Sequence, residues 1–299
     1  MNAKWPDPMS ALYDLLFAPF ADFEFMRRAL VGAMALAMAG APVGVFLILR
    51  RMSLTGDAMA HAILPGAAMG YLVAGLSLGA MTAGGMIAGF VVAIASGAVA
   101  RATALREDAS LAAFYLISLA LGVTIVSLKG SNVDLMHVLF GNVLALDDAT
   151  LLLLAAIASL TLLGLAALYR PLVMETVDPL FLASVSRAGA PAQLIFLGLV
   201  VMNLVAGFHA LGTLMAVGLM MLPAASARFW SADISPMVAI SAGFGLASAY
   251  LGLVLSYHTG APSGPAVILM AGAFYFISMV LGPAGGLIRL LRPRRHLEA

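Results

Sequence analysis

The feature that most limits the fold of this sequence is a series of long apolar runs that follow one another with few interruptions. A helix needs about 20 mainly apolar residues to cross the hydrocarbon core of a bilayer, where the backbone must satisfy its own hydrogen bonds. The sequence is 63% hydrophobic and 10% charged, whereas soluble domains are about 45–50% apolar and about 25% charged. It therefore predicts an all-α, polytopic transmembrane helical bundle.

The runs predict about nine spans of this length. They cover residues 27–49, 58–76, 80–100, 109–128, 149–169, 192–208, 212–230, 236–256 and 265–284. The second and the seventh are short or interrupted by proline, so the total is eight or nine. No linker could separate two folding units. We expect an N-terminal interfacial segment (1–25), one transmembrane domain (26–288) and a basic cytoplasmic tail (289–299).

The arginines of short loops predict the orientation of the chain in the membrane, because short loops that are rich in lysine and arginine face the cytoplasm. With nine spans, one side of the membrane carries Arg50, Arg51, Arg101, Arg106, Arg170, Arg187, Arg228 and the four arginines of the tail. That side is predicted to be cytoplasmic, and the N-terminus is predicted to lie outside.

Several classes of function are excluded by residues that the sequence lacks. It has no cysteine, so disulfides, thiolate metal sites and thiol catalysis are impossible. The net charge of +1 and the lack of a basic stripe argue against nucleic-acid binding. No phosphate-binding loop, nucleophile elbow or His-Glu-x-x-His motif occurs, which predicts a non-enzymatic chain without a permanently bound cofactor.

Two ionisable residues, Asp57 and His61, interrupt the apolar pattern near the second run. Residues four apart share one face of a helix, with Cβ atoms about 6 Å apart. Pro65 and Gly66 are predicted to break that helix within a turn of His61. Ionisable groups at membrane depth are costly and are candidates for function. The alternative is that Asp57 caps the helix and His61 hydrogen-bonds it.

A short helix is predicted on the cytoplasmic face at 178–190, between the fifth and sixth runs. Asp178 and Pro179 are typical of a helix start, and Gly189 and Pro191 of a stop. The helix is too short to span a bilayer. It exposes apolar side chains at Leu180, Phe181, Leu182 and Val185, next to the charged Arg187. Such a surface indicates a docking element, although the helix could instead lie in the membrane surface.

Five stretches resemble the ABC-3 family, the permeases of bacterial zinc, manganese and iron importers. They are RRMSLTGDAMAHAILPG (50–66), REDA (106–109), DLMHVLFGN (134–142), GTLMAVGLMMLPAA (212–225) and SGP (263–265). The resemblance implies a homodimeric permease in the bacterial inner membrane, driven by a separate ATPase subunit and fed by an extracytoplasmic metal-binding protein. Residues 178–190 then resemble the coupling helix, which sits in a groove of the ATPase.

The resemblance also implies that Asp57 and His61 are metal ligands. A carboxylate and an imidazole suit Zn(II) or Mn(II), and the imidazole favours zinc. Two ligands bind weakly enough for an ion to leave, which suits conduction. Two subunits could present four ligands around one axis. We therefore expect a zinc importer, with manganese or iron as the alternative cargo.

Three further histidines are predicted near the outer face: His137, His209 and His258. Together they could accept an ion from the feeding protein, but interfacial histidines are more often simply hydrogen-bonded. Asp134, Asp147 and Asp148 could attract cations to that face or be ordinary solvated loop charges.

Other transport or catalytic classes fit the sequence less well. An ion-coupled secondary transporter could use Asp57 and His61 as a proton relay, but it predicts an inverted repeat, and the two broken segments do not correspond. An intramembrane hydrolase would need a third close ligand and a general base. A permease that carries an organic metal chelate would need no paired metal ligands, so Asp57 and His61 argue against that cargo.

Overall fold

The structure is a computed structural model that describes residues 13–75, 77–105, 107–128, 143–186 and 188–288. These residues form helices and no strand. The helices are α1 (Ala18–Asp22), α2 (Glu24–Leu49), α3 (Ser53–Ala62), α4 (Leu64–Ala74), α5 (Leu78–Ala102), α6 (Glu107–Leu128), α7 (Asp148–Val177), α8 (Pro179–Val185), α9 (Gly189–Leu211), α10 (Thr213–Arg228), α11 (Ile234–Thr259) and α12 (Ser263–Leu281). One 3₁₀ turn, Val143–Ala145, precedes α7.

Six of the described helices are long and apolar enough to cross a membrane: α2, α5, α7, α9, α11 and α12. Two shorter apolar stretches, Ala109–Ile125 in α6 and Thr213–Arg228, accompany them. The predicted all-α membrane bundle is confirmed.

The predicted interruption of the second run is confirmed, because α3 and α4 meet at Ile63 as two short helices, two residues after His61. Pro65 lies at the start of α4, where a helix needs no backbone donor and proline is tolerated. The proline therefore begins a helix instead of ending one.

Helix α2 lies at the centre of the bundle and packs against α7, α9, α10 and α11. The most apolar parts of α2 and α9 are 72% and 78% buried, against 28% for those of α5, α7 and α12, which form the outer layer. Phe46 and Leu47, near the C-terminal end of α2, are almost completely buried. The core is therefore assembled around α2 and α9.

Small residues allow the helices to approach one another closely, as is usual in membrane bundles. Gly44 of α2 lies directly against the backbone carbonyl of Met220 in α10. Gly66 of α4 and Gly84 of α5 face each other, each against the other's carbonyl oxygen. A side chain at any of these positions would force two helix backbones apart.

The N-terminal segment lies beside the C-terminal end of α11. The hydroxyl of Tyr250 donates a hydrogen bond to the carbonyl of Leu16 (2.8 Å), and Phe20 stacks on the Tyr250 ring. This end of α11 is the end predicted to face outside. The segment before α2 is therefore attached to the bundle from its first described turns.

We expect replacement of Gly44 by alanine to destabilise the fold, because its Cβ would collide with the Met220 carbonyl. Overpacking of this kind costs about 1–3 kcal/mol. The measurement is the apparent midpoint of thermal unfolding of the detergent-solubilised protein. Gly243→Ala is the matched control, since a Cβ on Gly243 meets nothing within 4 Å. Equal midpoints for the two variants would contradict this packing.

Candidate functional site

Asp57 and His61 lie on one face of α3, as their spacing predicts. Asp57 is inside the helix, which begins at Ser53 after Met52, so the interpretation of Asp57 as a helix cap is wrong. Nε2 of His61 is 3.7 Å from Oδ1 of Asp57, which is longer than a hydrogen bond. The two side chains are adjacent, and neither consumes the other's metal-binding atoms.

The pair opens towards the surface of the subunit. The side chain of Asp57 is 64% exposed and that of His61 is 28% exposed. The His61 ring packs 6.3 Å from the ring of Tyr115 in α6. Its Nδ1 atom is buried and has no hydrogen-bond partner among the described residues. Packing therefore orients the imidazole and leaves Nε2 on the side of Asp57.

The opposite face of α3 fixes the helix against the bundle. Thr55 and Met59 on that face are buried, and they line a cavity of about 10 Å³ between α3, α5 and α6. Gly56 faces α10, where an added Cβ would lie 2.8 Å from the methyl carbon of Met220. The helix that carries Asp57 and His61 is thus buried on one side and open on the other.

The position of Asp57 and His61 along the segment formed by α3 and α4 follows from helix geometry. With a rise of 1.5 Å per residue, Asp57 lies about 6 Å and His61 about 12 Å along the axis from Ser53. The segment formed by α3 and α4 ends at Ala74. Both side chains are therefore in the half of this segment that is nearer to Arg50 and Arg51. That end of the segment is predicted to be cytoplasmic.

Within the part of the chain that the structure describes, the other predicted histidines are not assembled into a metal-binding cluster. Nδ1 of His209 lies 2.9 Å from the carbonyl oxygen of Val205, one turn earlier in α9. Nε2 of His258 lies 2.8 Å from the carbonyl oxygen of Leu15. His137 falls outside the described residues. Within the described part of the chain, no group of three His, Asp or Glu side chains could hold a metal ion.

Two of the acidic residues at the predicted outer face have partners within the subunit. Asp147 caps α7, where it accepts a hydrogen bond from the backbone N–H of Thr150 (3.0 Å), and hydrogen bonding by Thr150 lowers the pKa of this carboxyl. Asp148 lies 3.1 Å from Arg28 of α2. Asp134 is outside the described residues. These contacts give Asp147 and Asp148 a local structural role.

Helix α8 begins where the sequence predicts and ends earlier. The Asp178 side chain accepts a hydrogen bond from the backbone N–H of Phe181 (2.9 Å), and the helix ends at Ser186 in extended conformation. The predicted stop at Gly189 and Pro191 is wrong, since both residues lie in the first turn of α9. Proline is tolerated there for the same reason as in α4.

The exposed surface of α8 consists of Leu180 (82%), Phe181 (50%) and Val185 (67%). Leu182 was expected to be exposed with them, but it is 5% exposed. It packs on Gly189, where an added Cβ would lie 3.3 Å from a Leu182 methyl carbon. Leu182 therefore anchors α8 to α9. Arg187 is outside the described residues.

The sequence analysis missed the role of Arg50. It counted this residue only as an orientation signal, but the structure buries it in an ion pair with Glu175 near the end of α7, at 3.1 Å. The sequence separation of 125 between Arg50 and Glu175 gives no local signal of this contact. The sequence pattern places Arg50 at the predicted end of the first run, but it places Glu175 in the loop after the fifth run and does not pair the two residues.

Comparison with known proteins places this architecture in a family. The sequence matches the ABC 3 transport family over residues 22–282. The chain belongs to the ABC 3 transport family. It is a multi-pass helical permease of the bacterial cytoplasmic membrane, and a transport protein rather than an enzyme, as the sequence analysis predicted.

Similar proteins cover almost the whole chain. The manganese transport system membrane protein MntC of Halalkalibacterium halodurans is 30% identical over 288 residues, which is 94% of this chain and 96% of the relative. The manganese import system permease protein ScaB of Streptococcus parasanguinis is 29% identical over 262 residues, 87% of this chain and 92% of the relative. The solved structure of PsaBC from Streptococcus pneumoniae in complex with Fab has a TM-score of 0.82 at 27% identity, covering 94% of this chain and 100% of its own.

The geometry of α3 predicts different chemical accessibility for two adjacent positions. Because the chain has no native cysteine, Asp57→Cys and Ala58→Cys each carry a single thiol. Asp57 is exposed, whereas Ala58 is 5% exposed. We expect a charged, water-soluble thiol reagent to modify the first variant at least ~10-fold faster, because the thiolate needs water. Mass spectrometry gives the rates; equal rates would refute the orientation of α3.

Proposed function

We propose that this chain is the permease subunit of an ATP-driven importer and passes a bare divalent metal ion between two copies of itself. The observation that carries the proposal is the open pairing of Asp57 and His61 on one face of α3. An ionised carboxylate that faced lipid would be costly, so this face requires a polar or water-filled environment.

A second copy of the chain would provide that environment and complete the ligand set. One subunit offers one carboxylate and one imidazole, and no third ligand lies beside them in the described residues. A two-fold axis next to α3 would bring two carboxylates and two imidazoles together. Four such ligands suit a first-row divalent cation, and their division between two subunits allows the ion to leave when the subunits move.

For the cargo, we propose Mn(II) first and Zn(II) second. The relatives named above are manganese importers by name, and carboxylate ligands suit manganese. The imidazole of His61 favours zinc, which keeps the zinc prediction as the second candidate. The argument for zinc from further histidines is weaker, because His209 and His258 each contact a carbonyl oxygen of their own subunit.

Metal uptake by cells that depend on this permease tests the role of the pair. We expect Asp57→Asn and His61→Ala each to reduce uptake at least ~10-fold, since each removes a ligand from a site that has few. Asp148→Asn is the matched control, because its carboxylate is also exposed and pairs with Arg28. Wild-type uptake by either site variant at normal expression would refute the site.

The same assay identifies the cargo and separates the transporter classes. Mn(II) and Zn(II) are offered separately and in competition, and we expect the manganese signal to be the larger. Uptake should stop when the partner ATPase is inactivated. Continued metal uptake without ATP hydrolysis would instead support the ion-coupled secondary transporter.

We propose that α8 docks into the ATPase subunit, with Leu180, Phe181 and Val185 as the contacting residues. These three apolar side chains are exposed in the short helix that follows α7, and Asp178 and Leu182 fix the helix that carries them. Apolar surface of this kind is normally covered by a partner. An extracytoplasmic metal-binding protein would deliver the ion at the opposite face.

Charge in this surface should prevent assembly. We expect Leu180→Asp and Phe181→Asp to reduce co-purification of the ATPase subunit at least ~10-fold, because a carboxylate would be buried without a partner. Leu105→Asp is the control, as Leu105 is 52% exposed in the loop between α5 and α6, on the same predicted side. Normal co-purification of the α8 variants would exclude docking through this surface.

A further inference from the structure

Arg50 and Glu175 form a buried ion pair where α2 and α7 end. Nη2 of Arg50 lies 3.1 Å from Oε2 of Glu175, and the side chains are only 9% and 18% exposed. Removal of two charges from water is unfavourable unless each is well paired, so such pairs are weak devices for stability alone. The pair is therefore a candidate for a role beyond holding the two helices together.

The position of the Arg50 guanidinium depends strongly on Glu175. The guanidinium carbon lies 5.2 Å from the centre of the Phe196 ring in α9, a cation–π contact. Its Nε atom is buried and has no hydrogen-bond partner among the described residues. Phe196 also packs edge-on against Phe46 of α2. Glu175 is thus the acidic partner that places the guanidinium between α7 and α9.

On one side, this pair is connected to α8. Glu175 lies three residues before Asp178, the cap of α8. An added Cβ on Gly189 would lie 4.0 Å from the Glu175 carboxyl carbon and 3.3 Å from a methyl carbon of Leu182. The buried residue of α8 and the carboxylate of the pair therefore meet the same point at the start of α9, so a displacement of α8 reaches Glu175 directly.

On the other side, the pair is connected to the helix of Asp57 and His61. Arg50 and Arg51 form the turn that leads into α3. Arg51 has φ 59°, in the left-handed region that non-glycine residues rarely adopt. The backbone N–H of Met52 donates to the carbonyl of Leu47 (2.9 Å) and closes this turn. A closed turn this short joins Arg50 to the start of α3 with little slack.

We propose that Arg50 and Glu175 are positioning residues that transmit the movement of α8 to the metal-binding face of α3. With the pair intact, the end of α7 and the turn before α3 move together when the ATPase moves α8. Without it, the ATPase still hydrolyses ATP, but α3 no longer follows. This inference rests on the proposed function, because it assigns the route by which ATP hydrolysis reaches the transit site.

The test measures coupling in the complete complex of permease, ATPase and metal-binding protein, reconstituted in vesicles. Glu175→Gln keeps the size of the side chain and removes its charge. We expect ATP hydrolysis within ~3-fold of the wild-type rate, and at least ~10-fold less Mn(II) or Zn(II) transported per ATP. Glu24→Gln is the matched control, since Glu24 pairs with Arg28 at the opposite end of α2.

A structural role would give a different result. If Glu175→Gln lost ATP hydrolysis and transport in proportion, or kept the wild-type ratio of metal to ATP, the inference would be overturned. Arg50→Lys is the second variant, for use if Glu175→Gln fails to assemble. It keeps the charge but loses the planar contacts of arginine, and we expect a ratio at least ~3-fold below wild type. An unchanged ratio would likewise overturn the inference.

A distance measurement tests the inference without any metal. Cysteines at Leu54 of α3 and at Ala232, in the loop between α10 and α11, would be the only thiols in the chain. We expect the distance between spin labels at these positions to change on ATP binding in the wild type and not in Glu175→Gln. If the wild type shows this change but carries neither metal, the proposed cargo is wrong and the inference stands. A change that persists in Glu175→Gln would overturn it.

Discussion

The structure depends on one constraint: hydrocarbon offers no hydrogen bonds, so polar groups within the bundle must find partners in the protein. The buried amide of Asn203 donates to the hydroxyl of Thr161 (2.7 Å) and joins α9 to α7. The hydroxyl of Ser241 donates to the carbonyl of Ala41 (3.0 Å) and joins α11 to α2. Asp57 differs, because its side chain is exposed and Nε2 of the neighbouring His61 is too far from its carboxylate for a hydrogen bond. Its partner is therefore to be sought outside the subunit.

The same constraint explains how an interrupted helix is tolerated beside Asp57 and His61. The helix is interrupted at Ile63, two residues after His61, and the hydroxyl of Ser118 in α6 donates to the carbonyl of Ala62 beside this interruption (2.9 Å). Close packing supports the other sides, since Gly66 of α4 lies against the backbone of Gly84. These contacts hold the junction of α3 and α4 against its neighbours, although α3 is only ten residues long.

Much of this architecture is predictable from the sequence, because it follows from local rules. Apolar run length predicts membrane helices, and a spacing of four predicts that Asp57 and His61 share a face. The failures concern contacts between distant segments. Burial of Leu182 depends on the closeness of Gly189, and the partner of Arg50 lies in another helix. The predicted interruption near Pro65 is present, with the proline at the start of α4, whereas the predicted stop at Pro191 is the first turn of α9, since proline ends one helix or begins the next with the same local chemistry.

The short distance between the ion pair and the transit site has a mechanistic consequence under the proposed function. Only the turn at Arg50–Met52 and about one to two turns of α3 separate Glu175's partner from Asp57 and His61. Metal–ligand distances are defined to within about 0.2 Å, so a site shared between two subunits is lost when one helix shifts by about 1 Å. A small displacement of α8 is then sufficient to release an ion, and no large rearrangement of the bundle is required. This favours weak, divided coordination over a complete site within one subunit.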